Sequence, residues 1–350
     1  MTKPPSTRGS FTIGDTEIAR GTRETVGLPV SVFANHTPAE LMVHVIHGKR
    51  PGPCVFVSAG IHGDEVIGVE VCRRLLRAPN LDTLKGTLLV VPVVNAFGFL
   101  NHSRYLPDRR DLNRSFPGSS SGSLAARLAK LFLAEVVLRC DFGIDLHSAA
   151  VHRTNLPQIR ISPGNTRTRA LAMAFGAPVV LTSPLRDGSL RGEAKGRGVD
   201  VLLYEAGEGL RFDETSVRAG VAGILRVLHA EGMISRRGVP RSASTPLMVG
   251  DSAWLRAPAG GLVRMYRSEG EIVAEGDLLA TVSDPFGAED VELLAPSGGI
   301  IVGRAVMPIV NEGDALYHLG DLPARRDAEA AMEDHTEALA KPLFDEDEII

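Results

Sequence analysis

The sequence predicts an α/β fold, a largely parallel or mixed sheet with helices on both faces, followed by a small C-terminal all-β domain. Three observations predict it. Short apolar runs alternate with segments whose apolar residues recur at helical spacing. Composition shifts near Arg236 to Pro246, where basic residues, serine and proline mark a linker. Beyond the linker come short strand-like runs broken by paired glycines. The expected division is 1–240 for the first domain, 241–322 for the β domain and 323–350 for an acidic tail.

The elements follow in order. Residues 11–47 alternate short β-like runs with turns and end in a strand at 41–47. Residues 53–59, with Cys54, Val55, Phe56 and Val57, read as a buried strand that breaks at Gly60, and 66–76 as the next helix. Another buried strand is expected at 87–94. Residues 123–139 carry Leu124, Leu128, Leu131 and Phe132 at helical spacing behind Ser123, a capping residue. A strand at 141–147 ends on His147. Helices are expected at 166–175 and 213–231, and strands at 178–182 and 200–205. The alternation alone also suits a nucleotide-binding domain, but no Gly-x-Gly-x-x-Gly or phosphate loop follows the first strands.

The chemistry begins at Gly60-Ile61-His62-Gly63-Asp64-Glu65. His62 and Glu65, three residues apart at the end of a buried run, sit where α/β proteins bind ligands, at the carboxyl edge of the sheet. Imidazole nitrogen and carboxylate oxygen suit Zn²⁺, and a catalytic site needs one more protein ligand and an open position. His147, at the end of a second strand, is the best candidate. Asp145 shares its face two residues earlier and is placed to orient a ligand. Residues 104–118 hold Arg104, Arg109, Arg110 and Arg114, forks that grip a carboxylate through two bonds. Glu205 closes an apolar run before a glycine turn, and a carboxylate beside a metal-bound water can move its proton. Tyr204 points to the other face of that strand, as a core residue.

Together and in this order, Gly-Ile-His-Gly-Asp-Glu from Gly60, Asp-Leu-Asn-Arg from Asp111, Asp-Leu-His from Asp145 and Glu-Ala-Gly from Glu205 resemble the succinylglutamate desuccinylase and aspartoacylase family. These are zinc deacylases with a carboxypeptidase A-like fold, and the resemblance covers roughly residues 40–230. It implies that His62, Glu65 and His147 bind one zinc per chain, that Asn113 and Arg114 hold the substrate carboxylate, and that Glu205 is the general base and acid. It also implies an upstream arginine that stabilises the oxyanion. Arg104 is nearest in pattern because it precedes a tyrosine, but its spacing to Asp111 is longer than in the family, so Arg109 or Arg110 is an alternative. Arg110 is also counted with Asn113 and Arg114 as a substrate contact. The implied activity is cleavage of the amide bond of N-acyl amino acids or related small carboxylate-bearing amides; the alternative is a metallocarboxypeptidase acting on peptides.

Composition is consistent with this. At 350 residues, 44% of them apolar, the chain can bury one large core with something appended. A formal net charge of −4 with both signs interspersed gives no reason to expect nucleic acid or an anionic membrane as partner; the resemblance implies a small-molecule N-acyl amino acid substrate, and a homo-oligomer stays open. Cys54, Cys72 and Cys140 have no metal-type spacing and read as reduced core residues; with no apolar signal-peptide core in residues 1–14, the expected location is cytoplasmic. The runs from Ala257 and Ala295 are near-repeats 38 positions apart, so the C-terminal module resembles the biotinyl and lipoyl carrier sandwich. Carriers expose a lysine between their halves; here Val291-Glu292-Leu293-Leu294 has none, which leaves a structural module at the active-site mouth.

Overall fold

The computed structural model describes residues 9–32, 35–322 and 325–341. Residues 1–8 of the expected polar start, and 323–324 and 342–350 of the expected acidic tail, lie outside the described residues; helix Arg325–Ala340 is the described part of that tail. The described residues build a mixed sheet of 13 strands and a second sheet of four. Along the large sheet the order is Ser252–Arg256, Ala315–Gly320, Gly299–Ala305, Arg153–Ile161, Asp200–Glu208, Phe142–Ala149, Arg50–Ala59, Lys85–Val91, Pro38–His47 and Thr22–Val32.

At its centre Arg50–Ala59, Phe142–Ala149 and Asp200–Glu208 run parallel, Ala59 beside Leu146 and Glu205 beside His147. Every residue of Phe142–Ala149 is buried, because apolar layers cover both faces. On one side Val55, Val57, Ile144 and Leu146 pack with helices Ile67–Leu76, Thr166–Phe175 and Glu214–Ala230. On the other side Phe56, Leu89 and Val91 pack with helix Leu124–Glu135. Burying a side chain of the size of Phe56 stabilises the fold by about 2–3 kcal/mol. Its ring needs Gly143 opposite, where a Cβ would lie 2.0 Å away. Ser123 caps its helix as the sequence predicts, accepting from the Ala126 N–H. The predicted strand at 87–94 stops at Val91, since Pro92 follows and offers no N–H for a ladder.

The C-terminal β domain joins the large sheet. Gly299–Ala305 pairs antiparallel with Arg153–Ile161, and Ala315–Gly320 and Ser252–Arg256 continue beyond it. The four-stranded sheet, Gly261–Met265, Leu278–Ser283, Asp290–Leu294 and Ile309–Val310, closes over a separate small core. The near-repeats meet there: Ala257 and Ala295, Val263 and Ile301 are all buried in it. No helix among the described residues is long and apolar enough to cross a membrane.

Candidate functional site

The parallel strands end at one edge, and the chemistry collects there. After Ala59 the chain turns through Gly60 in the left-handed region (φ +62°), which glycine adopts without strain. Gly63 allows the next step: a Cβ there would lie 2.0 Å from the Gly98 carbonyl carbon, so only hydrogen lets the loop pass this close to helix Ala96–Leu100. The loop thus folds inward, leaving His62 3% and Glu65 2% exposed. His147 comes from the adjacent strand and is also buried.

The three side chains meet. Glu65 Oε1 lies 2.7 Å from His62 Nδ1, and its Oε2 lies 2.7 Å from His147 Nδ1. One ligand atom from each of His62, Glu65 and His147 lies within 4.8 Å of the others. Each imidazole is oriented through its other nitrogen. His147 Nε2 is 2.8 Å from Asp145 Oδ2, while Ser58 Oγ donates to Asp145 Oδ1. His62 Nε2 is 3.1 Å from Asp111 Oδ1, a contact the sequence reading missed although Asp111 opens the Asp-Leu-Asn-Arg run.

The charges balance only as a set. Burial would raise the Glu65 carboxyl, but the two imidazoles hold it well below the usual carboxylate range. Burial would also keep His147 neutral, yet Asp145 and Glu65 hold its pKa well above the usual imidazole value, and Glu65 and Asp111 raise His62 in the same sense. Two imidazoles and one carboxylate, each held by its neighbours, offer two nitrogen donors and one oxygen donor, a set suited to a divalent cation.

A cleft of about 650 Å³ opens over this cluster and is lined by Arg104, Asn113, Arg114 and Glu205. Arg104 donates to Glu65 Oε1 at 3.1 Å and to Asp111 Oδ2 at 3.3 Å. Asn113 Oδ1 accepts from the Leu190 N–H, and the Arg114 guanidinium donates to the Asn113 carbonyl. Glu205 takes the Asn155 amide at 3.0 Å on Oε2, and Arg160 lies 3.6 Å from its Oε1. Arg110 is not brought in: its side chain is 63% exposed, 3.9 Å from Asp108, and does not line the cleft, nor does Arg109. Tyr204 is fully buried and donates to the Ser216 carbonyl. The C-terminal domain also reaches the cleft, through Asp251, Ser252, Trp254 and His318. Arg153 lies over the Trp254 ring at 5.0 Å, and that ring stacks on His318.

A model of the succinylglutamate desuccinylase/aspartoacylase catalytic domain matches residues 51–230. An N-alpha-acetyl-L-2,4-diaminobutyric acid deacetylase of Halomonas elongata is 29% identical over 160 residues, 44% of this chain and 47% of that protein. Succinylglutamate desuccinylase of Pseudomonas aeruginosa is 33% identical over 132 residues, 35% of this chain and 39% of that protein. The chain thus matches less than half the length of these curated relatives. Among solved structures, a succinylglutamate desuccinylase/aspartoacylase from Rhodobacter sphaeroides superposes with a TM-score of 0.76 at 26% identity, over 86% of this chain and 96% of the other. The product-bound ectoine utilization protein EutE (DoeB) of Ruegeria pomeroyi gives 0.75 at 23%, over 90% and 97%, a likeness of fold alone.

Proposed function

Because the chain belongs to the succinylglutamate desuccinylase/aspartoacylase family, we propose that it is a zinc-dependent amidohydrolase that cleaves the amide bond of N-acyl amino acids. The observation that carries the reading is the Glu65 carboxylate shared by His62 and His147, with Glu205 paired beside His147 on the next strand. The names of the relatives, one deacetylase and one desuccinylase, support the substrate class.

His62, Glu65 and His147 would hold the metal. When bound, Zn²⁺ supplies an activated water and a positive charge for the oxyanion of the amide. Glu205, its carboxylate held by Asn155, accepts a proton from the attacking water and returns it to the departing amine nitrogen. Arg104, fixed between Glu65 and Asp111, adds positive charge where the oxyanion develops. Asn113 and Arg114 hold the substrate carboxylate, with the guanidinium gripping it through two bonds. The β domain, residues 241–322, narrows the mouth for small substrates.

The test is a screen of full-length, zinc-loaded protein against N-acetyl, N-succinyl and N-formyl amino acids, with metal content measured alongside. Amine release that disappears in Glu205→Gln is expected. Zinc-loaded protein that hydrolyses none of the panel overturns the reading, and release of carboxyl-terminal residues from peptides would move the activity to a metallocarboxypeptidase.

A further inference from the structure

Cys54 and Cys140 are 86 residues apart in the chain, yet their sulfurs lie 3.6 Å from each other. Cys54 belongs to strand Arg50–Ala59, and Cys140 stands at the turn that leads into strand Phe142–Ala149. The two strands pair in parallel, Val55 beside Phe142. Their approach is fixed one residue from the sulfurs. The Cys54 N–H donates to Asp141 Oδ2 at 2.7 Å, and the Asp141 N–H donates to the Cys54 carbonyl at 2.8 Å. Both thiols then meet the same apolar layer, in which Cys140 is buried and against which Cys54 packs.

A thiol is a weak donor and a sulfur a weak acceptor, so this contact holds little as it stands. Closing it to a bond of about 2 Å asks for a small movement, because the two residues come from adjoining strands. The two sulfurs differ in access. Cys54 is half-buried, while Cys140 is 6% exposed. Burial, then the Cys54 thiol beside it, push the Cys140 thiol well above the usual range, so Cys140 stays protonated and Cys54 is the one that meets an oxidant first. Cys72 is fully buried in the opposite apolar layer and serves as an internal control.

We propose that Cys54 and Cys140 form a reversible oxidation site that takes a hydroperoxide as its oxidant and closes to a disulfide between the strand leading to His62 and Glu65 and the strand carrying His147. Cys54 sulfur attacks the outer peroxide oxygen, the O–O bond breaks, and the departing oxygen takes the thiol proton, which leaves a sulfenic acid on Cys54 and an alcohol or water. Cys140 sulfur then attacks Cys54 sulfur. The S–O bond breaks, and the hydroxide leaves as water with the Cys140 proton. Two thiols are oxidised and one peroxide is reduced. The product closes a loop of 86 residues, which takes freedom from the unfolded chain and so clamps the fold. The inference rests on neither the metal nor the deacylase reading.

The experiment uses full-length protein, first reduced and then treated with a small excess of hydrogen peroxide. Thiol titration in denaturant should fall from three groups to the Cys72 thiol alone. The intact mass should drop by about 2 Da, the two hydrogens lost. Peptide mapping should join Cys54 to Cys140, and dithiothreitol should restore all three thiols. The cross-linked protein should unfold several degrees above the reduced one, a difference that reductant abolishes. Cys140→Ser leaves Cys54 without its partner, so dimedone should trap a sulfenic acid on Cys54, whereas Cys54→Ser should give no adduct on Cys140. Three thiols surviving peroxide, a cross-link between two chains, or an adduct on Cys140 in place of Cys54 overturns the site, as does a cross-linked protein that unfolds no higher than the reduced one. Thiol count, mapping and unfolding are all read on the parent, so they decide even where a variant fails to fold.

Discussion

Glu205 pairs with His147 across two parallel strands, so a carboxylate and a candidate metal ligand leave the same sheet edge side by side. The pairing puts the proposed proton acceptor next to the cluster without making it a fourth member, since Glu65 already takes both imidazoles.

That geometry separates base from ligand. Glu205→Gln preserves shape and the Asn155 contact and removes the proton acceptor, so zinc should remain bound while turnover falls by about 10²-fold or more. Metal analysis and steady-state kinetics on the same preparation decide it. Near-normal turnover would transfer the role to another group, and Glu208, engaged with the His152 N–H and Arg211, is the next carboxylate along the strand.

The ligands should respond in a graded way. His147→Ala removes one donor and should lose most bound zinc and all activity. Asp145→Asn leaves the ligand in place but takes away the charge that orients it, and should weaken zinc binding by roughly 10- to 100-fold. His152→Ala, at an exposed turn with φ +68°, should keep the metal. Full zinc occupancy in His147→Ala would sink the assignment.

The central strands and the cluster were legible because each is local. Val55 to Val57 form an apolar run, and Phe142, Ile144 and Leu146 form another interrupted by Asp145, as expected of strands covered on both faces; His62, Glu65 and His147 follow where those runs end. Strand Arg153–Ile161 was not, because Pro157 argues against a central strand. The fold accommodates it at a register irregularity between Glu205 and Gly207, which pair with Gln158 and Asn155. Helix Leu190–Gly196 was missed for its seven residues with two glycines, and it carries Arg191. Arg110 looked like part of an arginine cluster in sequence, but a turn at Arg109 (φ +62°), with the Arg110 N–H bonded to Asp108, directs it to solvent. That His318 lines the cleft follows from strand pairing across the whole sheet, which no local pattern encodes.

The carboxylate grip assigned to Arg114 is open to a cycle of substitutions. Lysine offers a point charge where arginine offers a planar fork, so Arg114→Lys should weaken catalysis on N-acyl amino acids. Changing the substrate carboxylate to a neutral amide should cost the parent enzyme much more than the variant, since both changes break the same contact. Losses that simply add would mean that Arg114 does not touch that carboxylate. Coupling at Arg104 in the same cycle would transfer the grip there, because Arg104 lines the same cleft.

His318 makes stability depend on pH in a direction that can be worked out. Burial, then Arg160, depress its folded pKa to about 4 from a usual value of 6.5. Between those values the unfolded chain binds a proton at this position and the folded chain does not, so stability rises with pH across the window. The contribution is fully present above about pH 6.5 and is lost as pH falls toward 4. At about 1.4 kcal/mol per pKa unit, the loss is on the order of 3 kcal/mol. Carboxylates titrate in the same range, so the readout is the difference between parent and His318→Gln. Urea unfolding at a series of pH values should give a steeper fall for the parent below pH 6.5, with the two curves converging as pH drops. Parallel curves across the window would mean that the imidazole is solvated or charged in the folded protein.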